Sequence, residues 1–220
     1  MSAAKLRLGV LVSGRGTNLQ AILDGCSDGR IPAEVAVVVS NRPGVPALDR
    51  ARRHGVPALT VSHASYGKWP LCRAAYERDL VRALTEYGVG LVVCAGYDRL
   101  AGETLIEAFR GRMINIHPSL LPSFPGLHAQ ADALAYGAKV TGATVFFVDE
   151  SLDGGPIIVQ EAVPVEEGDT VESLAARILV VEHRLLPRAI TLIAQGRTVL
   201  EGRRVRILDR SGGASQCVGQ

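Results

Sequence analysis

Apolar positions along the chain form short continuous runs that alternate with stretches of helical spacing. Residues 5–12, rich in Leu and Val, read as a buried strand ending at Ser13-Gly-Arg-Gly-Thr-Asn18. Leu19, Ile22 and Leu23 follow at helical spacing up to about Cys26. A second strand is predicted over 35–40, closed by Asn41-Arg-Pro-Gly44, and a helix over 46–54 that Gly55 stops. Next come a short strand over 58–61 and a helix over 68–87. That helix carries Tyr76, Leu80, Val81 and Leu84 on one face, with Gly88 as its cap. The run 90–95 is almost wholly apolar, as expected of a parallel strand covered on both faces. A helix over 103–109 then leads to a fifth strand over 113–116. Such alternation indicates parallel βαβ units.

The pattern changes after Gly126. Residues 129–136 predict a helix, and 142–148 and 157–165 two strands joined by Asp149-Glu-Ser-Leu-Asp-Gly-Gly-Pro156. No helix fits between them, so they form an antiparallel addition to the sheet. A long amphipathic helix covers 170–194, with Thr170 as N-cap and Ser173 where a capping box would carry Glu or Gln. A short strand over 203–208 follows. The expected fold is α/β, a mostly parallel sheet flanked by helices with a later antiparallel strand pair. Residues 1–208 are expected to form a single domain, and the polar, glycine-rich stretch 209–220 a disordered tail.

At 220 residues, 47% hydrophobic and 21% charged, the chain has the composition of an ordinary soluble protein with one well-built core. Net charge is +2 and the isoelectric point about 8.4, which gives no reason to expect nucleic acid as a partner. The cluster Arg203, Arg204 and Arg206 reads as solvated surface. Lys5 and Arg7 lead straight into a strand with no signal-peptide pattern, and the runs 35–39 and 91–95 are too short to span a bilayer. Cys26, Cys72, Cys94 and Cys217 show neither C-x-x-C pairing nor a nearby His at metal spacing. Reduced thiols in a cytoplasmic protein without a metal are therefore expected. Monomer and homodimer both stay open.

Chemistry enters at three places. In Met113-Ile-Asn-Ile-His-Pro-Ser-Leu-Leu-Pro-Ser-Phe-Pro-Gly126 a strand runs into a proline-stiffened loop, which places Asn115 and His117 at the strand's carboxyl end. Two positions apart, they project to the same side. Asn115 can donate to a developing oxyanion and His117 can carry a proton near neutral pH. The turn 13–18 joins the first strand to the first helix, where backbone amides can hold an anion. Leu19 replaces the third glycine of a dinucleotide fingerprint and no acidic residue ends the second strand, so a single phosphate is the better ligand. A turn that needs glycine for packing alone stays the alternative. Leu152-Asp-Gly-Gly-Pro156 supplies Asp153, which near His117 would fix its tautomer and favour its cation; a plain turn Asp is the competing reading. Ser119 lacks the G-x-S-x-G elbow, so direct acyl transfer between two bound substrates fits better than an acyl-enzyme.

Taken together and in order, Ser13-Gly-Arg-Gly-Thr-Asn-Leu-Gln20, Asn115-Ile-His-Pro-Ser-Leu-Leu-Pro122, Phe124-Pro-Gly-Leu-His128 and Leu152-Asp-Gly-Gly-Pro156 resemble the phosphoribosylglycinamide formyltransferases. The likeness runs from about Leu6 to Gly202. It implies a Rossmann-like fold, 10-formyltetrahydrofolate as co-substrate and formyl donor, glycinamide ribonucleotide as acceptor, and a place in purine synthesis. It also implies a catalytic trio Asn115, His117 and Asp153. Ribonucleotide contacts fall on Gly14, Arg15, Gly16, Thr17, Asn18 and Glu182. Folate contacts fall on Arg73, Asp98, Arg99, Leu100, Ala101, Asn115, Val148, Glu150 and Asp153. For Glu182 an ordinary charge on a helix face is the alternative. Two departures stand out: Ala95-Gly-Tyr-Asp-Arg99 where the family usually reads Ala-Gly-Phe-Met-Arg, and Phe146 where it commonly has His. The first alters the folate pocket and the second removes a hydrogen bond near the site. Formyltetrahydrofolate hydrolase would be expected to carry an extra N-terminal domain, and methionyl-tRNA formyltransferase a C-terminal RNA-binding one. A non-catalytic nucleotide-binding module would bury Asn115 and His117 in packing.

Overall fold

Alternate residues of the first strand, β1 (Leu6–Val12), face two different cores. Leu8, Val10 and Val12 pack with residues of helices α1 (Thr17–Ser27), α2 (Pro46–Arg53) and α6 (Val171–Ala194). Leu11 packs on the other side with α3 (Arg73–Glu86) and α4 (Glu103–Ala108). The period of two along a strand forces this division, and burial on both faces explains the unbroken apolar runs. The computed structural model describes residues 4–209.

The remaining strands of the main sheet are β2 (Ala33–Ser40), β3 (Ala58–Thr60), β4 (Leu91–Cys94), β5 (Met113–His117), β6 (Val140–Phe147) and β7 (Ile157–Pro164). Their order is β3-β2-β1-β4-β5-β6-β7. The first five are parallel; β6 runs antiparallel to β5, and β7 to β6. From β1 the chain builds outward to β3 and then returns to lay β4 on the other side of β1. The order reverses between β1 and β4, where an open α/β sheet leaves a crevice beyond its strand ends. Helix α5 (Ala129–Tyr136) lies between β5 and β6 in sequence.

The expected alternation and the antiparallel addition are therefore present, with three local differences. Helix α3 starts at Arg73 rather than near residue 68, after a 3-10 turn over His63–Tyr66. Pro70 has no amide to donate and biases Trp69 away from helical geometry, so the helix waits until the proline is passed. A strand missed in the sequence, β8 (Thr198–Glu201), pairs antiparallel with β9 (Arg204–Ile207) in a separate two-stranded sheet. At Thr170 both halves of the capping box are made, Ser173 serving in place of Glu. The tail expected over 209–220 lies, apart from Asp209, outside the described residues.

One tertiary contact sets the loop between β4 and α4. Buried Glu77 on α3 accepts from the backbone amides of Gly102 and Leu105, capping α4 with a side chain from another helix. Burial raises the Glu77 carboxyl above its ordinary value, against the pull of those two amides and of Arg73.

Candidate active site

Beyond the ends of β4 and β5, next to the reversal point, lies a cavity of about 600 Å³, within the range of small-molecule sites. Asn115, His117, Asp153, Arg73, Asp98, Arg99 and Leu100 all line it. A smaller recess beside it shares Asn115, Arg73 and Asp153 and adds Ala101, Val148 and Glu150. Every residue expected at a folate pocket thus borders one of two adjoining spaces.

Asn115 and His117 stand at the end of β5 and both face the cavity. Phe146 lies opposite Asn115 across the β5–β6 pair and is buried, and its ring has no donor or acceptor to offer. Among the described residues no protein group bonds the Asn115 side chain, which leaves its amide free toward the cavity. His117 is buried and held from both sides. Its Nε2 lies 2.8 Å from the Phe124 carbonyl, and its Nδ1 3.5 Å from Asp153 Oδ2. Both neighbours are acceptors. A neutral ring leaves one of them facing a lone pair, whereas an imidazolium presents a proton to each. Asp153 Oδ2 also accepts from the Gly126 amide at 2.8 Å, which ties the β6–β7 loop to the proline loop. Asp153 and Phe124 have φ of 47° and 53°, a left-handed conformation uncommon outside glycine. Next to Asp153, Gly155 is required: a Cβ there would come within 1.8 Å of the Phe147 carbonyl oxygen.

The turn after β1 sits beside this cavity without lining it. Gly16 is the N-cap of α1 at φ 72°, and a Cβ on it would lie 2.6 Å from that of Ala47. No side chain caps α1 and its first turn holds no acid, so its leading amides and dipole are available to an anion. Arg15 is exposed and its carbonyl accepts from Arg50 Nε at 2.9 Å. Asn18 is buried and donates to Glu182 Oε2 at 2.7 Å, while its own Oδ1 has no partner. Glu182 is no open helix-face charge: it is 8% exposed, and burial raises its carboxyl above the ordinary value against the Asn18 bond. A carboxylate with a raised folded pKa loses stability as pH climbs from the unfolded value toward the folded one. Glu182→Gln, which can still accept from Asn18, is therefore expected to exceed the wild type in urea midpoint at pH 7, with the advantage fading toward pH 4. Lower stability at every pH would show that Asn18 needs the charge.

Asp98 and Tyr97, the two departures in the loop after β4, are both engaged internally. The Asp98 carboxylate accepts from Ser13 Oγ at 2.9 Å, from Asn41 Nδ2 at 2.7 Å and from Arg42. Burial alone would raise it, but these bonds and the nearby Arg42 and Arg99 together hold it below the ordinary carboxylate range. The charge that was expected to disturb the folate pocket is thus neutralised from the other side. The Tyr97 hydroxyl bonds that of Tyr76, and burial raises both phenols. Trp69 was missed in the sequence. It lines the cavity, with the guanidinium carbons of Arg73 and Arg99 at 4.9 and 5.1 Å from its ring centroid. The signal was present, since a Trp directly before Pro70 is a poor helix interior. Asn41 and Arg42, read only as the close of the second strand, carried no such signal.

Among the described residues no helix is long and apolar enough to cross a membrane, and no three His, Cys, Asp or Glu side chains gather as for a metal. Residues 6–190 match the formyl transferase family model. The chain is 40% identical over 188 residues to the phosphoribosylglycinamide formyltransferase of Escherichia coli, covering 86% of this chain and 87% of that protein. It is 43% identical over 202 residues to the trifunctional purine biosynthetic protein adenosine-3 of Drosophila melanogaster, spanning 91% of this chain but only 15% of that relative. Among solved structures, glycinamide ribonucleotide transformylase 1 from Symbiobacterium toebii superposes with a TM-score of 0.90 at 58% identity, over 93% of this chain and 95% of that one. A formyltetrahydrofolate deformylase from Pseudomonas syringae reaches 0.86 at 27% identity, over 94% of this chain and 67% of that one.

Proposed function

The chain belongs to the formyl transferase family, and on that premise we propose that it moves the formyl group of 10-formyltetrahydrofolate to the amine of 5-phosphoribosylglycinamide in purine biosynthesis. The amine nitrogen attacks the formyl carbon, and the carbonyl electrons move onto oxygen. Asn115 donates its amide to that oxyanion in a partly closed site, where an aimed donor is worth more than in water. His117 takes the proton the amine gives up and returns it to N10 of the folate as the carbon–N10 bond breaks. To exchange that proton Nε2 turns from the Phe124 carbonyl toward the substrates, while Nδ1 stays toward the Asp153 carboxylate, which stabilises the imidazolium. The acceptor's 5′-phosphate sits on the uncapped amides of Gly16, Thr17 and Asn18, with Gly14 and Arg15 beside it and Glu182 toward the ribose. The folate lies across the cavity and the smaller recess beside it, against Arg73, Asp98–Ala101 and Val148–Asp153.

The observation that carries this reading is the free Asn115 amide beside a doubly accepted His117, in a cavity adjoining an uncapped helix N-terminus. It is tested by supplying 10-formyltetrahydrofolate with glycinamide ribonucleotide, with methionyl-tRNA or with water alone, and following the folate product optically. Release only with the ribonucleotide is expected. Equal release without an acceptor would move the assignment to the hydrolase, a reading to which the Pseudomonas syringae likeness gives some weight. The dephosphorylated acceptor should bind much more weakly, and equal binding would remove the phosphate from the turn.

Asp153→Asn keeps an oxygen to accept from Gly126 and removes only the charge facing His117. A loss in kcat of about 10²-fold is expected, the low end for a disturbed acid–base group, with both KM values near wild type. An unchanged kcat would reduce Asp153 to a loop-forming residue.

A further inference from the structure

Asp98 joins the loops that follow β1, β2 and β4. It lines the cavity, yet its two oxygens are engaged by donors from the ends of β1 and β2. The Ser13 hydroxyl lies 2.9 Å from Oδ1 and 2.7 Å from Asn41 Oδ1, and its single hydrogen can serve only one of them at a time. The Asp98 amide donates to the same hydroxyl at 3.0 Å, and the Ser13 amide donates to the Gly96 carbonyl at 3.0 Å. Ser13 opens the anion-binding turn, and Gly96 and Asp98 open the loop that walls the cavity.

A second line runs parallel. Arg99 can only donate, so His63 Nε2 accepts from it, and the proton on His63 Nδ1 then points to the Asn41 carbonyl at 3.3 Å. Both lines converge on Asn41. A methionine at position 98 would remove the acceptor that Ser13, Asn41 and Arg42 share; the Ser13 hydroxyl could still turn to Asn41 Oδ1, but the Asn41 amide and Arg42 would be left to find water.

We propose that Asp98 is a positioning residue that couples the acceptor's phosphate turn to the folate loop, so that filling either side orders the other. The identities of the two ligands rest on the function proposed above; the link itself does not. A carboxylate shared by charged and neutral donors on separate loops is strong and directional, and any shift of residues 96–101 is passed to Ser13 and to the start of α1. Coupling of this kind is reciprocal and ordinarily amounts to about 5–150-fold in affinity.

Two measurements test it on the full chain. In the first, tetrahydrofolate affinity is measured by calorimetry with and without saturating glycinamide ribonucleotide, a pair that cannot react. Wild type should bind the folate about 5-fold or more tightly with the ribonucleotide present, and Asp98→Met less than about 2-fold more tightly. No coupling in wild type, or equal coupling in both, overturns the proposal. In the second, hydrogen exchange of the ligand-free proteins is followed over residues 13–19. Faster exchange there in Asp98→Met supports the link, and unchanged exchange overturns it whatever the ligands do. Should neither ligand bind wild type, the proposed function fails and the exchange comparison alone decides about Asp98. If Asp98→Met does not fold, Ser13→Ala, which removes the hydroxyl that bonds both the Asp98 carboxylate and its amide, makes the same comparisons.

Discussion

His117→Ala is expected to lower kcat by about 10²–10⁴-fold, the range for loss of a positioned acid–base group. The amine must lose a proton and N10 must gain one; without the imidazole that exchange falls to water. Alanine also deletes the contact to the Phe124 carbonyl, so a control has to separate proton transfer from loop support. His117→Asn provides it, since its amide can donate to a carbonyl but cannot carry a proton between substrates. Single-turnover rates for the two variants should be equally depressed while binding of tetrahydrofolate stays near wild type. Recovery of most of the rate in His117→Asn would show that the ring only shapes the proline loop, and the acid–base role would fall.

Asn115→Ala should cost about 10²–10³-fold in kcat, the usual loss on removing one oxyanion donor. Its side chain bonds no protein group among the described residues, so truncation should leave few new unsatisfied partners and little loss of stability. The reduction should therefore appear equally in kcat and in kcat/KM, as expected for an interaction made only in the transition state. Asn115→Asp is the sharper variant: it keeps the size but sets an acceptor against the oxyanion, and should be at least as slow as alanine. A rise in folate KM at unchanged kcat would instead make Asn115 a binding residue.

The buried position of Glu182 changes the picture of the acceptor site. A ribose hydroxyl reaching Glu182 has to share a carboxylate already bonded by Asn18, whose own Oδ1 is buried and unpaired. The ribonucleotide would satisfy that oxygen or displace the bond. Burial therefore makes Glu182 a costly residue in the free protein and gives its contact with a ligand more weight than a surface charge would have.

Most of the elements were legible in the sequence alone, because their causes are local. Apolar runs of strand length, the 3.6 spacing of the long helix, Thr170 before it and Gly88 after α3 all act within a few residues. The glycine turn after β1 and the N-x-H at the end of β5 were legible for the same reason: strand ends in an α/β sheet face the ligand crevice whatever surrounds them. The start of α3 and the β8 strand were misjudged where a weak local signal competed with a stronger-looking pattern.

What only the tertiary structure decided are the partners. That Asp98 reaches Ser13 and Asn41, that Glu77 caps α4, that the Trp69 ring meets Arg99 as well as Arg73, and that both His117 nitrogens face acceptors are matters of tertiary contact. Periodicity says which face a side chain takes, but not which loop stands opposite. That is set by the strand order, which places β4 beside β1 and brings residue 98 against residue 13.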